Sequence, residues 1–187
     1  MTDKKTSWEA AGRAGLVLGG ICIAYVLLGL LFTKMAGSGT AGIIVGNILS
    51  MLVWAAKLVA CIWLMKVFMV KFSKANPDAD NSDTYMFGVK TAFLSALVYS
   101  AFYLLYVLFI NPDIFEESVA MLADNPMFTS DMMDQVESMI PKMPAISFFS
   151  NLIYCTLFGV IVSAIFARNI PSRNPFADTD SADEQEQ

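Results

Sequence analysis

The chemistry of this sequence turns first on Lys57. It lies in an aliphatic stretch, residues 43–65, that also holds Asn47, Ser50, Trp54 and Trp63. At about 100° per residue, Gly46, Asn47, Ser50, Trp54, Lys57 and Cys61 share one helical face spanning roughly 100°. A lysine near the middle of a membrane span costs about 2.5–3.5 kcal/mol on the insertion scale. The eleven Leu, Ile and Val residues of the stretch return roughly 3–7 kcal/mol on the same scale, so the stretch still inserts. Two readings of Lys57 stay open. It either snorkels toward the cytoplasmic face or marks a functional polar face with Asn47 and Ser50. No Asp or Glu occurs within the apolar runs, so an interior ammonium would need backbone carbonyls, Asn47, Ser50, Tyr99 or Asn151 as partners.

The remaining chemistry-bearing residues lead to blander expectations. Histidine is absent, which removes His-based triads, a histidine general base and the commonest metal ligand. Ser95, Ser100 and Cys155 therefore have nothing at membrane depth to activate them, and no catalytic residue is expected. Six methionines, Met121, Met127, Met132, Met133, Met139 and Met143, gather between residues 111 and 145. Thioethers can bind Cu(I), but without nearby Cys or His they read as adaptable apolar packing, and no metal or cofactor is expected. Seven acids in the same segment lack EF-hand spacing and read as a solvated face. Residues 37–42, GSGTAG, match G-x-G-x-x-G formally. That pattern binds dinucleotides only between a strand and a helix, so a flexible turn is expected instead. Cys22, Cys61 and Cys155 each fall inside an apolar run and read as small packing residues.

The elements that would position these residues are four apolar runs. They cover residues 14–33, 43–65, 87–110 and 146–167. A span needs about 20 mostly apolar residues, and each run supplies them. The first is too long for a signal-peptide core. The third is the expected centre of the bundle. Gly88, Ala92, Ala96 and Ser100 recur every four residues along it, forming a row that lets a neighbour approach closely. Asn151, Cys155, Gly159, Ser163 and Ala167 form a matching row on the fourth run, and Ala11, Gly15 and Gly19 a shorter one on the first. Residues 66–86 read as a basic cytoplasmic loop, entered by helix that emerges through Lys66, Lys71 and Lys74. Asn111-Pro112-Asp113 ends the third run. Two amphipathic helices fit residues 111–145, one with Ile114, Phe115, Val119 and Leu122 on its apolar side. The other presents Met132, Met133, Val136, Met139 and Ile140, capped by Thr129 or Ser130. Residues 177–187 are acidic without apolar anchors and read as a disordered tail.

Charge sets the orientation. With the N terminus inside, the inner segments carry Lys4, Lys5, Arg13, Lys66, Lys71, Lys74, Lys90, Arg168 and Arg173, against Lys34 and Lys142 outside. Cytoplasmic loops concentrate Lys and Arg, so both termini are expected in the cytoplasm and the acidic segment outside. A net charge of -5 argues against nucleic acid as a partner.

The order of features resembles an uncharacterised bacterial family of small four-span membrane proteins, the domain-of-unknown-function family 4199. The resemblance rests on Phe87-Gly88, Ser95, Asn111-Pro112-Asp113 and the acidic segment before a last run ending at Arg168. It implies a bacterial inner-membrane protein and carries over no catalytic residue. The expected architecture is all-α, an integral membrane four-helix bundle with an outer amphipathic helical hairpin. The expected function is a non-enzymatic membrane interaction or assembly protein. Its contacts would be the lipid bilayer and either other membrane proteins or a second copy of itself. Met132, Met133, Val136 and Met139 are the expected contact face. The alternative is a small transporter or channel component using Asn47, Ser50 and Lys57.

Overall fold

A computed structural model describes residues 4–35, 40–76, 79–123 and 130–170. These form α1 (Lys4–Met35), α2 (Thr40–Ala75), α3 (Asn81–Leu105), α4 (Ile114–Ala123), α5 (Ser130–Met139) and α6 (Met143–Asn169). A single π-helical turn, Tyr106–Ile110, extends α3, and a 3₁₀ turn, Ile140–Lys142, leads into α6. No strand occurs among the described residues. Four helical stretches are long and apolar enough to cross a membrane: Ser7–Phe32, Ile48–Ala75, Asn81–Ile110 and Asp131–Asn169.

Two boundaries differ from those expected. α1 starts at Lys4, so most of the polar N-terminal segment is helical. α2 runs on to Ala75, in keeping with the helix expected through Lys74, but α3 already begins at Asn81, so the connection is residues 76–80 and does not extend to residue 86. Packing explains the extension of α2. Met69 and Phe72 are buried, and Phe72 stacks on Phe87 with ring centroids 4.2 Å apart. Asp80 then starts α3 by accepting the Asp83 amide at 2.6 Å. Its carboxylate satisfies one of the amides that a helix start leaves unpaired. At the far end the amide of Asn111 bonds the Tyr106 carbonyl at 2.9 Å, one residue wider than the α-helical pattern. Pro112 prevents further helix.

α3 is the central helix, with its most extensive interfaces against α6 and α1. Its row Gly88, Ala92, Ala96 and Ser100 is buried. The row expected on α6 meets it: a Cβ on Gly88 would fall 2.8 Å from Ser163 Cβ, and one on Gly159 would overlap Ala92 Cβ. Ser163 satisfies its hydroxyl by donating to the Gly159 carbonyl at 2.6 Å. On the other side α1 uses its glycines. A Cβ on Gly15 would fall 2.8 Å from Leu94 Cβ, and one on Gly19 2.9 Å from Val98 Cγ1. Such close backbone approach replaces the hydrophobic drive that lipid does not supply between helices. The N-terminal ends of α1 and α3 are also tied. Lys90 Nζ donates to Ser7 Oγ at 3.2 Å and lies 5.2 Å from the Trp8 ring centre.

α2 packs mainly on α1, with lighter contact to α3 and α6. Much of its apolar surface faces outward, including Ile48, Met51, Leu52, Val59 and Trp63. α4 and α5 pack on one another. Val119 is buried, Met133 and Val136 are half-buried, and Met132 and Met139 stay exposed. Leu122 and Thr129, expected in the apolar side and cap of these helices, lie outside the described side chains.

Candidate functional site

α1, α2, α3 and α6 converge on one cavity of about 120 Å³. α2 contributes Trp54, Lys57 and Cys61 from the predicted polar face, together with Leu58, Ile62 and Met65 beside it. α3 contributes Ala92, Ser95, Ala96 and Tyr99, one turn apart on two adjoining rows. α1 adds Leu18 and Cys22; α6 adds Tyr154, Cys155, Phe158, Gly159 and Val162. α3 and α6 meet too closely at Ala92 and Gly159 to leave space between them, and it is the light packing of α2 on both that leaves the cavity unfilled. Of the lining residues only Trp54 (57%) and Tyr154 (65%) are exposed. They belong to α2 and α6, so the cavity opens between those helices.

Lys57 is half-buried, with Nζ 4.4 Å from the centre of the Tyr99 ring. The ammonium thus crosses to the central helix instead of running along α2 toward its basic end. A cation over an aromatic face gains about 0.5–2 kcal/mol, more as the site is desolvated. Tyr99 was among the partners expected from composition. No carboxylate pairs with Lys57 among the described residues, as the sequence requires. An ammonium carries three donors, and one aromatic face leaves capacity for a ligand with an acceptor oxygen or negative charge.

The other predicted site residues are placed differently. Ser50 is exposed and does not line the cavity. Asn47 is helical, and its side chain lies outside the described residues. Asn151 does not line the cavity either. Met132, Met133, Val136 and Met139 lie on α5, which packs on α4, and do not line the cavity.

Cys22 and Cys61 meet across α1 and α2 with sulfurs 3.4 Å apart, both as free thiols. Cys155 is also free and lines the same cavity. Depth counting would have placed Cys22 level with Lys57 but Cys61 one turn shallower, four residues from the inner end of the second run, so it does not foretell the thiol contact. In alternating spans, Cys22 lies eight residues from the inner end of the first run and Lys57 eight from that of the second. Both are then about 12 Å deep at 1.5 Å per residue. Tyr99 and Cys155 each lie twelve residues from the inner ends of their runs, about 18 Å deep by the same rise. Which faces meet at those levels is a matter of packing and is not written in any one run. Among the described residues no group of three or more acids and cysteines could hold a metal ion.

No curated protein and no solved structure matches the chain. A family model described as "Protein of unknown function (DUF4199)" matches residues 13–168, from the start of the first apolar run to the end of α6. On that match, which takes in all four long helices and the whole cavity, the chain belongs to the DUF4199 family.

Proposed function

We propose that this is a multi-pass protein of the inner (cytoplasmic) membrane with both termini in the cytoplasm. It acts as a component of a small transporter or channel whose ligand site is the cavity at Lys57. The observation that carries this reading is the convergence of all four long helices on one cavity whose wall holds Lys57. A charge retained at membrane depth without a counter-charge is expensive, and such residues usually serve a pathway or a ligand. The contact with Tyr99 argues against snorkelling, because it directs the ammonium into the bundle. The ligand is a small solute with an acceptor oxygen or negative charge. The test is flux of a panel of small anions and neutral solutes in proteoliposomes, wild type against Lys57→Leu. Flux lost in the variant supports the reading, and equal flux in both refutes it.

A second reading, a non-enzymatic assembly protein, draws on the outer hairpin. Met132 and Met139 stay 50% and 44% exposed on the apolar side of α5. Exposed methionines are adaptable contacts at partner surfaces. The partners would be other membrane proteins or a second copy of the chain. Membrane proteins that co-purify in mild detergent and are lost when these methionines are replaced would favour it.

A further inference from the structure

Cys22 and Cys61 need an explanation beyond packing. Their sulfurs are 3.4 Å apart, on different helices, and both line the cavity that holds Lys57. Lys57 and Cys61 are four residues apart on α2 and so share one face. The cavity mouth lies between α2 and α6, flanked by Trp54 and Tyr154. In the proposed membrane setting that mouth faces lipid, so a reactant enters from the bilayer. A cavity of about 120 Å³ is close to the size of roughly 150 Å³ known to admit a single benzene ring. Aromatic walls at Tyr99, Trp54 and Tyr154 suit a flat ring.

We propose that Cys22 and Cys61 form a dithiol redox site for a lipid-phase quinone. The quinone ring enters between α2 and α6 with a carbonyl oxygen toward the Lys57 ammonium. Two S–H bonds break and one S–S bond forms between Cys22 and Cys61. The two electrons and two protons pass to the quinone, which leaves as the quinol. The thiols are oxidised, the quinone is reduced, and no other reactant is required. Lys57 acts as a positioning residue, stabilising negative charge that develops on the quinone oxygen. The product disulfide pins α1 to α2 along the cavity wall, so the site reports the redox state of the membrane pool. This rests on the cavity being a ligand site within a bilayer, but not on any solute crossing it.

The test uses the full chain, reduced and placed anaerobically in phosphatidylethanolamine–phosphatidylglycerol nanodiscs, then mixed with decylubiquinone. One quinol should form per chain while two thiols become resistant to alkylation, and peptide mass spectrometry should show Cys22 joined to Cys61. Cys22→Ser, Cys22→Ala and Cys61→Ser should each abolish quinol formation while keeping the wild-type melting profile. Cys155→Ser should retain it. Lys57→Leu should slow it about tenfold or more, the loss expected for a hydrogen bond from a charged donor. Thiols untouched by decylubiquinone would overturn the proposal, whether or not water-soluble diamide joins them. Loss of the reaction in Cys155→Ser would overturn the pairing. Quinol formation without Lys57-dependent flux would leave this site standing and remove the transport reading; flux without quinol would do the reverse.

Discussion

Gly159→Ala offers the sharpest test of how the bundle is held together. The added Cβ would overlap Ala92 Cβ and come within 3.4 Å of Ala92 Cα. Alanine has no rotamer with which to retreat, so α6 and α3 must separate along the largest interface of the bundle. Forcing an extra carbon into a filled interface costs about 1–3 kcal/mol, and an overlap on a rigid neighbour belongs at the upper end. Gly20→Ala is the matched control, because a Cβ there meets nothing within 4 Å. It makes the same change in helix propensity, at most about 1 kcal/mol in favour of alanine. The two variants should therefore differ by about 2–3 kcal/mol, with Gly159→Ala the weaker. Ala92→Gly removes the atom that is struck. Combined with Gly159→Ala it should recover part of the loss, giving a coupling within the roughly 0.5–3 kcal/mol seen for residues in contact. Thermal unfolding in detergent micelles, followed by circular dichroism, reads the wild type and all four variants. If Gly159→Ala melts with Gly20→Ala, or the double variant shows simple additivity, α3 and α6 do not meet at these residues.

Other expectations follow from the same geometry. Lys57→Leu should insert normally and match or exceed wild type in thermal stability. It removes an insertion cost of about 2.5–3.5 kcal/mol and loses about 0.5–2 kcal/mol of cation–π contact; a clear drop in melting temperature would make Lys57 a structural strut. Single cysteines at Ser82 and Asp131, both exposed, in a Cys-free variant should label from opposite sides of the membrane, and labelling of both from outside would reject the orientation. Replacing half-buried Met133 and Val136 together with Asp should open α5 to protease, whereas unchanged cleavage would mean that this side is never covered.

Much of the architecture was legible in the chain alone because the bilayer is a demanding solvent. Backbone groups cannot go unpaired in hydrocarbon, so long apolar runs must be helices, and run length alone marks them. The four-residue rows at Gly88–Ser100 and Asn151–Ala167 also foretold that α3 and α6 would pack closely. Helix ends were read unevenly: the continuation of α2 through Lys74 was legible, but α3 starts at Asn81, ahead of its apolar run, because Asp80 caps it and Phe87 stacks on Phe72 of α2. Lys57 stood out as a charge in an apolar run, but its surroundings did not. Cys22, Cys61, Tyr99 and Cys155 come from four different helices. Helical periodicity fixes which residues share a face of one helix, whereas the facing of one helix toward another depends on all the side chains at their interfaces. Only the packed bundle brings two thiols within 3.4 Å and an ammonium over a tyrosine ring.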